Sequence, residues 1–141
     1  MEMKQLSEDF FVAPQIAASD LPGLAEAGIR TIICNRPDNE SAEQPRFDEI
    51  EAAAAELGIA TLYLPIVPSR MTEQDVEAFG AGLAEQPGPV LAYCRSGMRS
   101  ATLWSFHQAT SRSVPEILAA TRNAGYDLDG LARALSQRAP T

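Results

Sequence analysis

The run Val90-Leu91-Ala92-Tyr93 is apolar throughout and opens without a spacer into Cys94-Arg95-Ser96-Gly97-Met98-Arg99-Ser100. A short buried strand, a polar glycine-bearing loop and then a helical pattern from Ser100 to Ala109 make the strand–loop–helix unit of an α/β sheet. The unit constrains chemistry as well as fold. Only a thiolate is nucleophilic, and a thiol near its reference pKa of about 8.5 is mostly protonated at neutral pH. The unpaired N–H groups of a helix start and the permanent charge of arginine both favour the thiolate. Cys94 is therefore the candidate nucleophile, and the loop that would stabilise its charge would also hold an anionic substrate.

Each loop residue has a candidate part. Arg99 is the catalytic partner of Cys94, closing an oxyanion cradle, and Arg95, beside the nucleophile, steers substrate. Gly97 lets the backbone curl so that successive N–H groups, that of Met98 included, point inward. Ser96 and Ser100 offer hydroxyl donors to sulfur or oxyanion. Outside this run, Arg36 is a candidate anion ligand, with a surface charge as the equal alternative, and Asp38 is a candidate general acid, with a loop residue or salt-bridge partner as the simpler reading. Arg70 is weighed in the same way as Arg36. Cys34 lacks comparable surroundings and reads as a packed thiol, with a resolving cysteine as the alternative.

The rest of the chain repeats strand and helix. Phe10 to Ala13, Ile29 to Cys34 and Ala60 to Leu64 read as further strands. Helices are expected from Leu21 to Gly28, from Phe47 to Leu57, after a Thr72 cap, after the Ser113-Val114-Pro115-Glu116 capping box, and from Asp127 to Gln137. Gly80 and Gly82 weaken the helix after Thr72, as a close approach by neighbours would require. The expected fold is a single α/β domain over 1–141, with a mostly parallel four- to five-stranded sheet flanked by helices and two helices at the C-terminal end. In such sheets ligands bind beyond the carboxyl ends of the strands. Asn35 to Asn39, Pro65 to Arg70 and Cys94 to Arg99 would then converge on one rim.

Eleven basic against nineteen acidic residues give a formal net charge of −8. No basic stripe exists to neutralise nucleic-acid phosphates, so a nucleic-acid partner is not expected. A membrane partner is not expected either, because no apolar stretch approaches spanning length. With two cysteines in an α/β pattern and no signal peptide read in the opening residues, a reducing cytoplasm is the expected setting. His107, the single histidine, cannot build a metal cluster, and no metal or other cofactor is expected.

The segment Ala92-Tyr93-Cys94-Arg95-Ser96-Gly97-Met98-Arg99-Ser100 resembles the active loop of single-domain rhodaneses. Over roughly residues 5 to 110 the chain resembles the small bacterial family described as beta-lactamase-hydrolase-like, phosphatase-like or sulfurtransferase. Asn35-Arg36-Pro37-Asp38, the segment with Pro65, Thr72 and its helix, and Pro89 to Ser100 with Leu103-Trp104 carry the likeness. The resemblance implies a fold akin to dual-specificity cysteine phosphatases. It also implies relatives fused to metallo-hydrolase domains of the persulfide dioxygenase type.

Two reactions fit. Cysteine phosphatases place one residue more between cysteine and arginine than the four found here, usually put histidine where Tyr93 stands, and protonate the leaving group from a nearby acid. The corresponding upstream region, Tyr63 to Arg70, has neither Asp nor Glu. Sulfite leaving thiosulfate needs no such proton. The residues thus favour a sulfurtransferase acting through a Cys94 persulfide. The substrate would be a small sulfur-containing anion, and the partner a thiol acceptor or a persulfide-metabolising protein. A cysteine-dependent phosphatase with a phosphorylated substrate is the alternative, and a regulatory oxyanion-binding module a third.

Overall fold

The computed structural model describes residues 2–138; residue 1 and residues 139–141 of the expected domain lie outside the described residues. Five strands, β1 (Lys4–Ser7), β2 (Phe10–Ala13), β3 (Thr31–Cys34), β4 (Ala60–Tyr63) and β5 (Val90–Tyr93), form one sheet in the order β1-β2-β5-β3-β4. β5 pairs in parallel with β2 on one side and β3 on the other, β3 pairs in parallel with β4, and β1 runs antiparallel to β2. The sheet is mixed and mostly parallel, as expected. β1 is the element the sequence reading passes over. Leu6 is its one buried residue and its register slips between Gln5 and Ser7, so it has no apolar pattern to announce it.

The described helices are α1 (Leu21–Glu26), α2 (Phe47–Glu56), α3 (Glu73–Glu85), α4 (Met98–Gln108), α5 (Val114–Asn123) and α6 (Ala132–Ser136). Side chains alternate across a strand, and β5 splits its residues between two cores accordingly. Val90 and Ala92 join Phe79, Leu103, Trp104 and Ile117 on the α3–α4–α5 face; Leu91 and Tyr93 join Leu24, Ile50 and Cys34 on the α1–α2 face. Phe10 stacks on Trp104 at 6.2 Å and meets Phe79 edge-on at 5.7 Å, which fixes β2 against α3 and α4. Fully burying side chains of this size stabilises by roughly 1.5–3 kcal/mol each.

Two helix starts follow the sequence signals closely. Ser113 accepts from the Glu116 N–H, and Glu116 reaches back to the Ser113 N–H. Thr72 and Asp75 close the same reciprocal box, the shorter Asp side chain reaching the Thr72 N–H at 2.8 Å. Several boundaries move. β3 opens at Thr31 and not at Ile29, whose N–H turns back to Leu24 O of α1. α4 begins at Met98, two residues before the expected start, because Gly97 is its cap; the last expected helix is a 3-10 turn over Asp129–Leu131 followed by the short α6. Gly80 and Gly82 are where side chains press on α3: a Cβ on Gly80 would lie 2.5 Å from the His107 ring, and one on Gly82 2.8 Å from Leu62.

Candidate active site

The carboxyl ends of β3, β4 and β5 share a rim, and backbone bonds stitch the loops that leave them. Asn35 N–H donates to Tyr93 O, Leu64 N–H to Cys34 O and Ile66 N–H to Asn35 O. The fully buried Asn35 side chain is the centrepiece: its Nδ2 donates to Leu64 O at 2.9 Å, and its Oδ1 accepts from Ser100 Oγ at 2.8 Å. One amide thereby joins the β3, β4 and β5 loops.

Cys94 is fully buried at the mouth of α4. Alternation beyond Tyr93 returns it to the α4 face of the sheet, where Gly97 N–H donates to its Sγ at 3.1 Å. Gly97 has φ 95, which few residues but glycine adopt. Met98 N–H donates to Ser96 Oγ at 3.2 Å. The first-turn amides of Arg99 and Ser100 have no carbonyl of their own helix to meet, so the helix start retains donors for an anion. The arrangement can hold a thiolate, or an oxyanion bonded to that sulfur.

Arg99 is fixed by two neighbours. Its Nη1 donates to Glu40 Oε2 and to Ile66 O, and its Nη2 to Glu40 Oε1, each at 2.9 Å. Three of the five guanidinium donors are thus occupied, and those left, Nε–H and one Nη2–H, share one edge and form a fork suited to two oxygens. Burial is the largest influence and works against the Arg99 charge, but the Glu40 hydrogen bonds together with the attraction of Cys94 and Glu40 outweigh it and raise its pKa above the ordinary arginine value. The hydrogen bonds from Arg99, with those from Arg36, hold the Glu40 carboxyl below the usual glutamate range against a smaller opposing effect of burial. Glu40 is an ionised anchor and has no proton to give at neutral pH. It follows Asn39, whose φ of 69 is a left-handed conformation that asparagine tolerates better than most residues.

The other candidate residues are placed as follows. Arg36 is buried and donates from Nε to Glu40 at 3.0 Å and from Nη1 to Gln15 Oε1 at 3.1 Å, so two of its five donors support Glu40 and the loop beside it. Ser100, expected to donate to sulfur or oxyanion, gives its proton to Asn35, and Ser96 Oγ serves as an acceptor within the loop. Arg95, Arg70 and Met98 are exposed, Arg95 and Met98 at the lip of the cysteine loop. Asp38 is not poised as an acid. Its Oδ1 accepts the Phe47 N–H at 2.8 Å at the start of α2, while its own N–H donates to Tyr63 Oη at 2.9 Å. Cys34 belongs to the α1–α2 core, where burial pushes its thiol up and its Sγ donates to Arg36 O at 3.2 Å. That is the packed-thiol reading, and both cysteines are free.

Three contributors escaped the sequence reading. Glu40 sits among five other acidic residues between 38 and 51 with no local pattern to single it out. Asn35 stands out only as part of a polar loop and of the Asn35-Arg36-Pro37-Asp38 motif, with no sign of its bridging side chain. Tyr126, whose hydroxyl donates to Ser96 O at 3.0 Å, comes from the segment after α5.

With this geometry in place, likenesses to known proteins are informative. Residues 2–111 match the family described as beta-lactamase hydrolase-like protein, phosphatase-like domain. A beta-lactamase hydrolase-like protein of Agrobacterium fabrum is 31% identical over 140 residues, which are 98% of this chain and 32% of that protein. The chain thus spans about a third of the length of that relative. A crystal structure from Neisseria meningitidis, described as that of a candidate phosphatase, is 34% identical with a TM-score of 0.88, covering 98% of this chain and 99% of that one. The core catalytic domain of the PP-IP phosphatase Siw14 from S. cerevisiae superimposes with a TM-score of 0.73 over 98% of this chain and 85% of that one; at 13% identity this is a likeness of fold alone. These likenesses support a cysteine-phosphatase-like enzyme fold, and they favour the phosphatase alternative over the sulfur transfer for which the loop spacing argued. On the match over residues 2–111 and the relative at 31% identity, the chain belongs to the phosphatase-like domain family of the beta-lactamase hydrolase-like proteins.

Proposed function

We propose that this domain is a cysteine-dependent phosphatase whose substrates carry a small oxyanion head and a leaving group that departs without protonation. The observation that carries the reading is the Cys94 loop. One amide already rests on the sulfur, and the free fork of Arg99 stands on the same loop. Cys94 thiolate attacks phosphorus, the P–O ester bond breaks, and the leaving oxygen takes the bonding pair. Water then cleaves the S–P bond, releasing phosphate and restoring the thiolate. Loop amides and the Arg99 fork stabilise the charge that develops on the equatorial oxygens. The restriction to good leaving groups follows from the carboxylates near the rim. Asp38 is committed to α2 and Glu40 is held ionised, so neither serves as a proton donor.

Those same two observations, with four residues between Cys94 and Arg99, favour sulfur transfer as a second reading. There Cys94 attacks the outer sulfur of thiosulfate, the S–S bond breaks, sulfite leaves with the electron pair, and a thiol or cyanide takes the sulfur from the persulfide.

Aryl phosphate and thiosulfate:cyanide assays on one preparation, each repeated with Cys94→Ser, separate the readings. Phosphate release that depends on Cys94 is the expected result. A Cys94-dependent gain of about 32 Da after thiosulfate, with no phosphate release, would replace it by sulfur transfer. Neither activity would leave an oxyanion-binding module.

A further inference from the structure

Tyr126 enters the cysteine loop from beyond residue 111, where the match to the family description ends. It follows Gly125 (φ 96), is anchored by its N–H to Thr121 O at 2.9 Å, and packs its ring in the α3–α4–α5 core with 9% of its surface exposed. Its hydroxyl donates to Ser96 O at 3.0 Å. It also fills the space a side chain on Gly97 would need: a Cβ there would collide with the Tyr126 oxygen.

The Ser96–Gly97 peptide connects this contact to the sulfur. In a planar trans peptide the C=O and the N–H point in opposite directions. Holding the Ser96 oxygen outward on Tyr126 aims the Gly97 N–H inward, and that N–H rests 3.1 Å from Cys94 Sγ. The preceding peptide is held in the same sense, because Arg95 O accepts the Gln15 N–H at 3.2 Å. The loop is thus braced at two successive carbonyls, one by the end of the sheet and one by a side chain. Burial, and next the neighbouring Cys94, push the Tyr126 hydroxyl above the ordinary tyrosine range, so it keeps the proton it donates.

We propose that Tyr126 is a positioning residue: its hydroxyl locks the Ser96–Gly97 peptide in the orientation that keeps the Gly97 N–H on the Cys94 sulfur. The inference rests on Cys94 being the nucleophile of the loop, and it holds for phosphoryl and sulfur transfer alike. Tyr126→Phe keeps the ring and its packing and removes one donor. Without the brace the peptide is free to rotate, and a negative sulfur loses its hydrogen bond more than a neutral thiol does.

The test is the rate at which iodoacetamide labels Cys94, read by peptide mass at pH 7 and again at pH 10. At pH 7 the variant is labelled about threefold to tenfold more slowly than wild type, the size expected for one ordinary net hydrogen bond. At pH 10 the gap narrows, because the lost hydrogen bond acts on the charge of the sulfur and not on access to it. Equal rates at pH 7 overturn the proposal. So does faster labelling of Cys34 and Cys94 together, which would make Tyr126 a packing residue whose loss opens the fold. Because labelling needs no substrate, either result leaves the nucleophile assignment standing. That assignment fails separately, if Cys94→Ser retains turnover.

Discussion

Glu40 and Arg99, 59 residues apart in the chain, meet in a two-fold ion pair with Nη1 on Oε2 and Nη2 on Oε1. The pair is largely shielded, with 14% of the Arg99 side chain and 22% of the Glu40 side chain exposed, and Arg36 joins it through the same carboxylate. The carboxylate occupies the end of the guanidinium and leaves the Nε edge, which the proposed mechanism turns toward substrate. Glu40 thus fixes the direction of a charge whose presence depends on Arg99 alone.

Removing the Glu40 charge tests this. The carboxyl is held below its ordinary value, first by the hydrogen bonds from Arg99 and then by those from Arg36, against burial. A folded-state value below the unfolded one means that the unfolded chain binds more protons in acid. The stabilisation is therefore fully present above the ordinary glutamate value of about 4.3 and is lost as pH falls through the folded value. Glu40→Gln should lower stability at pH 7 by about 1–3 kcal/mol in urea unfolding, with the gap to wild type closing below about pH 4. A gap that stays constant from pH 7 into acid would show that the carboxylate charge is not what the site uses.

Arg99→Lys separates charge from geometry. Lysine supplies one compact cation and cannot hold Glu40, Ile66 O and a two-oxygen anion at once. The variant should fold and lose about 10²-fold or more in kcat/KM, comparable to removing an oxyanion-hole donor. Arg95→Lys, at an exposed lip position, should cost far less, and its effect should shrink as salt is raised. Wild-type turnover in Arg99→Lys would remove the fork from the mechanism.

For Asp38 the expected effect is on stability. Asparagine can accept the Phe47 N–H as aspartate does, so Asp38→Asn should change little, whereas Asp38→Ala should cost about 1 kcal/mol through loss of a helix-start acceptor. Neither should alter how kcat depends on the leaving-group pKa across a series of aryl phosphates. A loss confined to poor leaving groups would restore Asp38 as the acid.

What the sequence made legible follows the range of the interactions. Val90 to Tyr93 and Phe10 to Ala13 announce themselves by unbroken apolar runs, and the Ser113 box by a fixed local spacing, so these elements are read to the residue. Cys94, Gly97 and Arg99 are legible because a candidate nucleophile at a helix start draws its partners from the next few residues. Glu40, Asn35 and Tyr126 reach the loop from 54, 59 and 32 positions away from Cys94, and no local pattern encodes such contacts. The same reason explains the roles that shifted. Arg36 and Ser100 carry the right groups, but Glu40, Gln15 and Asn35 claim them first.

Gly97 offers the sharpest test of the loop, because Gly28 supplies its control. The two have nearly the same φ, 95 and 94, so alanine at either position incurs the left-handed penalty of about 1–2 kcal/mol. Their surroundings differ. A Cβ on Gly28 meets nothing within 4 Å, while one on Gly97 collides with the Tyr126 hydroxyl. In Gly97→Ala either Tyr126 moves, freeing Ser96 O, or the loop moves, carrying the 97 amide off the sulfur. Gly28→Ala should therefore unfold at somewhat lower urea concentration and keep wild-type kcat/KM. Gly97→Ala should lose more stability than Gly28→Ala and at least 10²-fold in kcat/KM, measured on the same substrate. Equal activity in the two variants would mean that the amide on Cys94 contributes nothing to turnover, and the cradle would reduce to the Arg99 fork and the start of α4.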